Sequence, residues 1–133
     1  MQVGAAAGVA TPSAAGAKPA RLKVSLSLEL HCAKPGPAAI VISLPRAWRV
    51  PKAVAQPAVW INSSHPKSVD VSGHTLTLQP VAPTGTCNVI APGTITVKFT
   101  RAAKLGNPRK AGRYTVRASI GQQDFSARVS IKP

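Results

Sequence analysis

Few side chains in this sequence are equipped for chemistry, and their spacing decides which kind. The three histidines, His31, His65 and His74, fall on different segments, without the paired or clustered spacing that gathers ligands on one metal ion. Carboxylates are scarcer in effect. Glu29, Asp70 and Asp124 are the whole acidic complement, whereas general acid–base catalysis needs a pair converging on one substrate. All three read as outward or turn positions, which also removes the buried carboxyl that a Lys–Asn isopeptide bond requires. Neither a Gly-x-Ser-x-Gly elbow nor a phosphate loop occurs, and Gly-Asn-Pro-Arg-Lys at 106–110 reads as a turn. These residues predict no enzyme, no metal site and no cofactor.

Cys32 and Cys87 each stand alone in the sequence, which excludes a zinc ribbon and a redox Cys-x-x-Cys. Cys32 ends an apolar strand face and Cys87 precedes another strand. One disulfide between them is the expectation, and it implies an oxidising, extracytoplasmic setting. In the chain-entropy model such a loop is worth about 4 kcal/mol. Two separate buried thiols are the other reading of the pair.

Binding chemistry is better supplied, because 17 Lys and Arg stand against three acids, a formal charge of +14. A chain of this kind is drawn to anionic partners generally, whether nucleic acid, acidic cell-wall polymer, lipid head groups or a mineral surface, although a basic coat also serves solubility alone. If the last three strands form a meander in one sheet, Lys98, Arg113, Arg117, Arg128 and Lys132 share an outward face with Thr96 and Thr115. That face holds five cations and no acid, and it is the candidate docking surface for an anionic partner. A second candidate contact is the loop Arg46-Ala47-Trp48-Arg49. There Trp48 either stacks outward on a base or sugar ring or folds inward to plug the core. Beyond Trp48, only Trp60 is available for interleaved stacking, which weakens the reading as a basic domain for nucleic acid or acidic polysaccharide and makes nucleic acid the less expected partner.

The elements that must position these groups show period-2 patterning. Residues 21–32 place Leu22, Val24, Leu26, Leu28, Leu30 and Cys32 on one side of a ribbon and polar residues on the other. Ile40, Ile42 and Leu44 mark the next strand, stopped by Pro45. Val59-Trp60-Ile61-Asn62 is a short strand, and 69–78 spells a hairpin around Gly73. Ile95, Val97 and Phe99 point inward from a further strand. Tyr114, Val116, Ala118 and Ile120 form one inner row of the last pair, and Phe125, Ala127, Val129 and Ile131 the other. Tyr114 stands where a tyrosine corner would, with Val116 in place of the usual cysteine. Seven or eight short strands without helical periodicity predict an all-β, immunoglobulin-like antiparallel β-sandwich with one disulfide. At 133 residues the chain supplies one such domain.

Residues 1–20, rich in Ala, Gly and Pro, read as a flexible N-terminal arm, leaving 21–133 as the sandwich. Such an arm could add itself as a strand to a neighbouring copy, although Ala and Gly pair poorly. No segment approaches the roughly 20 apolar residues of a membrane span.

Successive blocks also resemble a known repeat. Ile40-Val41-Ile42-Ser43-Leu44-Pro45, Val59-Trp60-Ile61-Asn62, residues 69–78, residues 92–99 and the Asn-Pro-x-x-Ala-Gly-x-Tyr-Thr block at 107–115 are similar to the immunoglobulin-like repeats of bacterial cell-surface proteins. The resemblance implies an extracellular spacer, adhesive or envelope module without catalysis, from which this chain departs in its two cysteines, its basic surface and its single copy. The expectation is a structural or adhesive cell-surface module, a repeat or filament subunit, and its partners are its own copies or, from the charge, an anionic envelope polymer. A basic domain that binds an anionic polymer is the alternative that the charge suggests.

Overall fold

In a computed structural model the described residues are 3–11, 13–18, 20–27, 39–62, 64–79, 94–120 and 123–133. They form nine strands: β1 (Val3–Thr11), β2 (Arg21–Ser27), β3 (Ile40–Ser43), β4 (Val59–Ile61), β5 (Ser68–Ser72), β6 (Thr75–Gln79), β7 (Thr94–Phe99), β8 (Gly112–Ile120) and β9 (Gln123–Ile131). One antiparallel sheet runs β4-β7-β2-β1 and the other β9-β8-β3-β6-β5. Along one side they are joined, because Val3 and Gly4 of β1 pair in parallel with Asp124 and Phe125 of β9.

Inward rows follow the period-2 pattern. Leu22, Val24 and Leu26 on β2, Ile95, Val97 and Phe99 on β7, Ile40 and Ile42 on β3, and the β8 and β9 rows from Val116 to Ile131 are buried together in one core. Fully burying each large side chain is worth about 1.5–3 kcal/mol. The β5–β6 hairpin closes through Gly73, whose φ of +61° suits the first position of a two-residue primed turn.

Three expectations are corrected. Val3–Thr11, read as part of a flexible arm, is strand β1, the ninth strand beyond the seven or eight expected. Seven of its residues pair with β2, from Ala5 opposite Ser27 to Thr11 opposite Arg21. Its small side chains suit the seam where the sheets converge. A Cβ on Gly8 would lie 2.7 Å from Val129 Cγ2 and 3.5 Å from Ala127 Cβ, so composition that weakens strand propensity is what lets the seam close.

The last three strands are not a meander. β7 pairs with β2 and β4, while β8 pairs with β9 and β3. Residues 100–111 cross from one layer to the other, and they are longer than a hairpin needs. Leu105 and Asn107 are fully buried in this crossover. Asn107 Nδ2 donates to Ala14 O at 2.9 Å, and its backbone N–H donates to Ala17 O at 2.8 Å. The crossover is thereby tied to the segment between β1 and β2. Tyr114 completes it as a tyrosine corner, its hydroxyl donating to Lys110 O at 2.6 Å, four residues upstream.

Of its two readings Trp48 takes the inward one, and the third correction is its removal from the candidate loop contacts. It is 1% exposed and meets Tyr114 edge to face, the ring centroids 5.5 Å apart. Cys32 and Cys87, with Leu28, Leu30, Glu29 and His31, lie outside the described residues.

Candidate cationic faces of the sandwich

Four of the five predicted face residues come together on the outer side of the five-stranded sheet. Arg113 and Arg117 stand on β8, Arg128 on β9 and Lys132 just beyond it, all exposed. Their register is a checkerboard: Arg113 opposes Ser130, Arg128 opposes Thr115, and Arg117 opposes Ser126 on one side and Ser43 on the other. Cations therefore meet hydroxyls directly and one another only on the diagonal, about 7–8 Å away, which limits their repulsion. Asp124, at the far end of β9, and Asp70, on edge strand β5, are the two acids of this sheet among the described residues. An open groove of about 400 Å³ runs beside the arginines, lined by Ser43, Leu44, Pro45, Arg113, Tyr114, Thr115 and Arg117.

Lys98, the fifth predicted residue, lies in the other sheet, on β7 opposite Lys23 of β2. Alternation along β7 was legible, but its partner strands were not.

Of the second candidate group, Arg46 keeps an exposed position. Arg49 donates from an Nη to Gly16 O at 2.6 Å. Gly106 packs so closely on it that a Cβ there would lie 2.7 Å from its Nε. Arg49 thus braces the β1–β2 connection against the crossover rather than facing a ligand.

The described histidines are engaged separately. His65 Nδ1 donates to Val59 O at 2.8 Å, and His74 Nε2 donates to Trp48 O at 3.0 Å, since a carbonyl can only accept. Among the described residues no three of His, Cys, Asp and Glu are grouped to hold a metal ion. The arrangement supplies flat arrays of donors and positive charge, chemistry suited to holding an anion.

No protein-family model matches the chain, and no curated protein matches it in sequence. Solved structures do resemble it. BslA, a bacterial hydrophobin, superposes with a TM-score of 0.60 at 12% identity, covering 97% of this chain and 98% of that one. The N-terminal domain of the Streptococcus gordonii adhesin Sgo0707 gives 0.55 at 10% identity over 96% of this chain, which spans only 32% of the adhesin chain. BcpA, the major pilin subunit of Bacillus cereus, gives 0.48 at 8% identity, covering 87% of this chain and 35% of that one. At such identities the likeness is one of fold: a two-sheet all-β sandwich, shared with bacterial adhesin and hydrophobin domains. No helix among the described residues is long and apolar enough to cross a membrane.

Proposed function

We propose that this chain is a non-catalytic, structural or adhesive module of a bacterial cell surface that engages an anionic envelope polymer through the arginine face of its five-stranded sheet. One observation carries the reading. The described groups able to do acid–base chemistry, Asp70, Asp124, His65 and His74, are dispersed over the fold, whereas Arg113, Arg117 and Arg128 share one flat face lined with hydroxyls. A scaffold that scatters its acids and bases while gathering its cations is built for binding. The fold that it shares with adhesin and hydrophobin domains supports the surface assignment. A Cys32–Cys87 disulfide belongs to the same proposal, because an exported chain can keep one.

Immunogold labelling of unpermeabilised source cells, with antibody raised against the folded chain, tests the location. Label on the outside of intact cells is the expected result. Label that appears only after permeabilisation overturns the proposal.

A further inference from the structure

The outer face of the four-stranded sheet breaks a rule that the other sheet obeys. On β8 and β9 each cation faces a hydroxyl, but Lys23 and Lys98 stand directly opposite each other on adjacent antiparallel strands, both exposed. Like charges so placed destabilise a sheet. Among the described residues no carboxylate relieves them, since Asp70 and Asp124 both belong to the other sheet. Arg21, exposed one outward position along β2, adds a third cation to the face.

Register extends this pair into a row across all four strands. Trp60 of β4 opposes Lys98, and Val9 of β1 opposes Lys23. The order across the sheet is therefore aromatic, cation, cation, aliphatic, over roughly 14 Å at ordinary strand spacing. Val9 is 56% exposed, unusual for a large hydrophobic side chain among the described residues. Trp60 is half-buried and held in place: its ring lies against that of His65, centroids 3.7 Å apart, and His65 is tethered through Nδ1 to Val59 O. Ile61 and Ser64 exchange backbone hydrogen bonds at 2.7 and 3.1 Å, which fixes the stretch that carries His65 next to β4. Asn62, at φ +55°, accepts the Thr96 N–H on its Oδ1 at 2.9 Å. Half-buried Thr96 and Ser25 supply hydroxyls in the adjacent row, where they pair.

We infer that the Trp60–Lys98–Lys23–Val9 row is a binding site for an acidic polysaccharide whose sugar rings carry carboxylates. Apolar ring faces would rest on Trp60 and Val9, carboxylates would bridge the two ammonium groups, and ring hydroxyls would meet Thr96 and Ser25. A bound carboxylate relieves the repulsion between Lys23 and Lys98, so binding and folding stability are coupled. Nucleic acid is the poorer fit, because a single anchored indole gives no succession of stacking platforms. The site is distinct from the arginine face and does not depend on that face binding anything.

The test uses the whole folded chain with alginate as the probe, single-stranded DNA as a competing polyanion and dextran as a neutral control. Binding isotherms are measured across salt concentrations, and thermal midpoints with and without alginate. Wild type is expected to bind alginate, to gain thermal stability from it and to ignore dextran. Lys23→Glu is expected to melt higher than wild type without ligand, because the introduced carboxylate would pair with Lys98, and to bind alginate more weakly. Lys23→Gln and Lys98→Gln together lower the salt slope by about two. Trp60→Ala weakens alginate about tenfold while leaving DNA binding unchanged, as expected for a lost stacking contact. An Arg113→Gln, Arg117→Gln, Arg128→Gln triple variant keeps these responses, which separates this site from the arginine face. The inference is overturned if Lys23→Glu and Trp60→Ala bind alginate as wild type does, or if DNA binds more tightly than alginate in a Trp60-dependent way.

Discussion

Gly8 faces Val129 so closely that any Cβ on it would lie 2.7 Å from the valine Cγ2. The two residues meet where β1 joins the four-stranded sheet to the five-stranded one, and neither has room to withdraw, since Val129 is fully buried. Gly8→Ala is therefore expected to destabilise the fold by about 1–3 kcal/mol, the usual range for overpacking a tight core, despite the gain in backbone stiffness. Urea denaturation measures this. Hydrogen exchange should place the loss in β1 and in the β2 amides paired with it.

Trp48 closes the sandwich interior beside Tyr114. Trp48→Ala should cost about 3–5 kcal/mol, as large-to-small changes at fully buried aromatics do. At a temperature where the variant is still folded, its affinity for polyanions should equal that of wild type. A selective loss of binding with stability intact would restore Trp48 as a ligand contact.

Asn107 is wholly buried and ties the crossover to the segment after β1 by side chain and backbone together. Asn107→Ala removes the shorter of the two hydrogen bonds to Ala14 O, leaving the 3.3 Å bond from Ala17 N–H, and empties a buried side-chain site, at an expected cost of about 1 kcal/mol or more. Because the same segment seats β1, a second signature is expected: limited proteolysis should cut within residues 12–20 before the rest of the chain unfolds.

Much of the architecture was legible because alternation is a local property. The inner rows of β2, β3, β7, β8 and β9 are buried as their period implies, and the hairpin at Gly73 and the corner at Tyr114 are where residue chemistry puts them. Partnership between strands is not local, and there the reading failed. Nothing in Thr96 or Lys98 says that β7 pairs with β2. The available clue was the length of residues 100–111, together with Leu105 and Asn107 inside a stretch that otherwise reads as loop. β1 was missed for a related reason. Its Ala and Gly content argues against a strand by propensity, yet packing against Val129 and Ala127 selects small residues there. The cationic face suffered from the same gap: four of its members assemble, and Lys98 goes to the opposite side with Lys23.

Cys32 and Cys87 give the export proposal a chemical readout. Protein isolated from its source under alkylating, non-reducing conditions should carry no alkyl group on either cysteine, and should take up two after unfolding and reduction. Uptake of two groups by the unfolded but unreduced chain would remove the disulfide and, with it, this support for an oxidising compartment.

The central claim is that this sandwich holds an anionic polymer of the cell envelope, and co-sedimentation of the purified chain with isolated envelope polysaccharide across salt concentrations tests it most directly. Retention is expected at low salt and steep release toward physiological ionic strength. The Arg113→Gln, Arg117→Gln, Arg128→Gln variant should show a logarithmic salt slope shallower by about three, if each arginine neutralises one anionic group. Absence of retention at low salt, or retention indifferent to salt and to these arginines, would contradict the account.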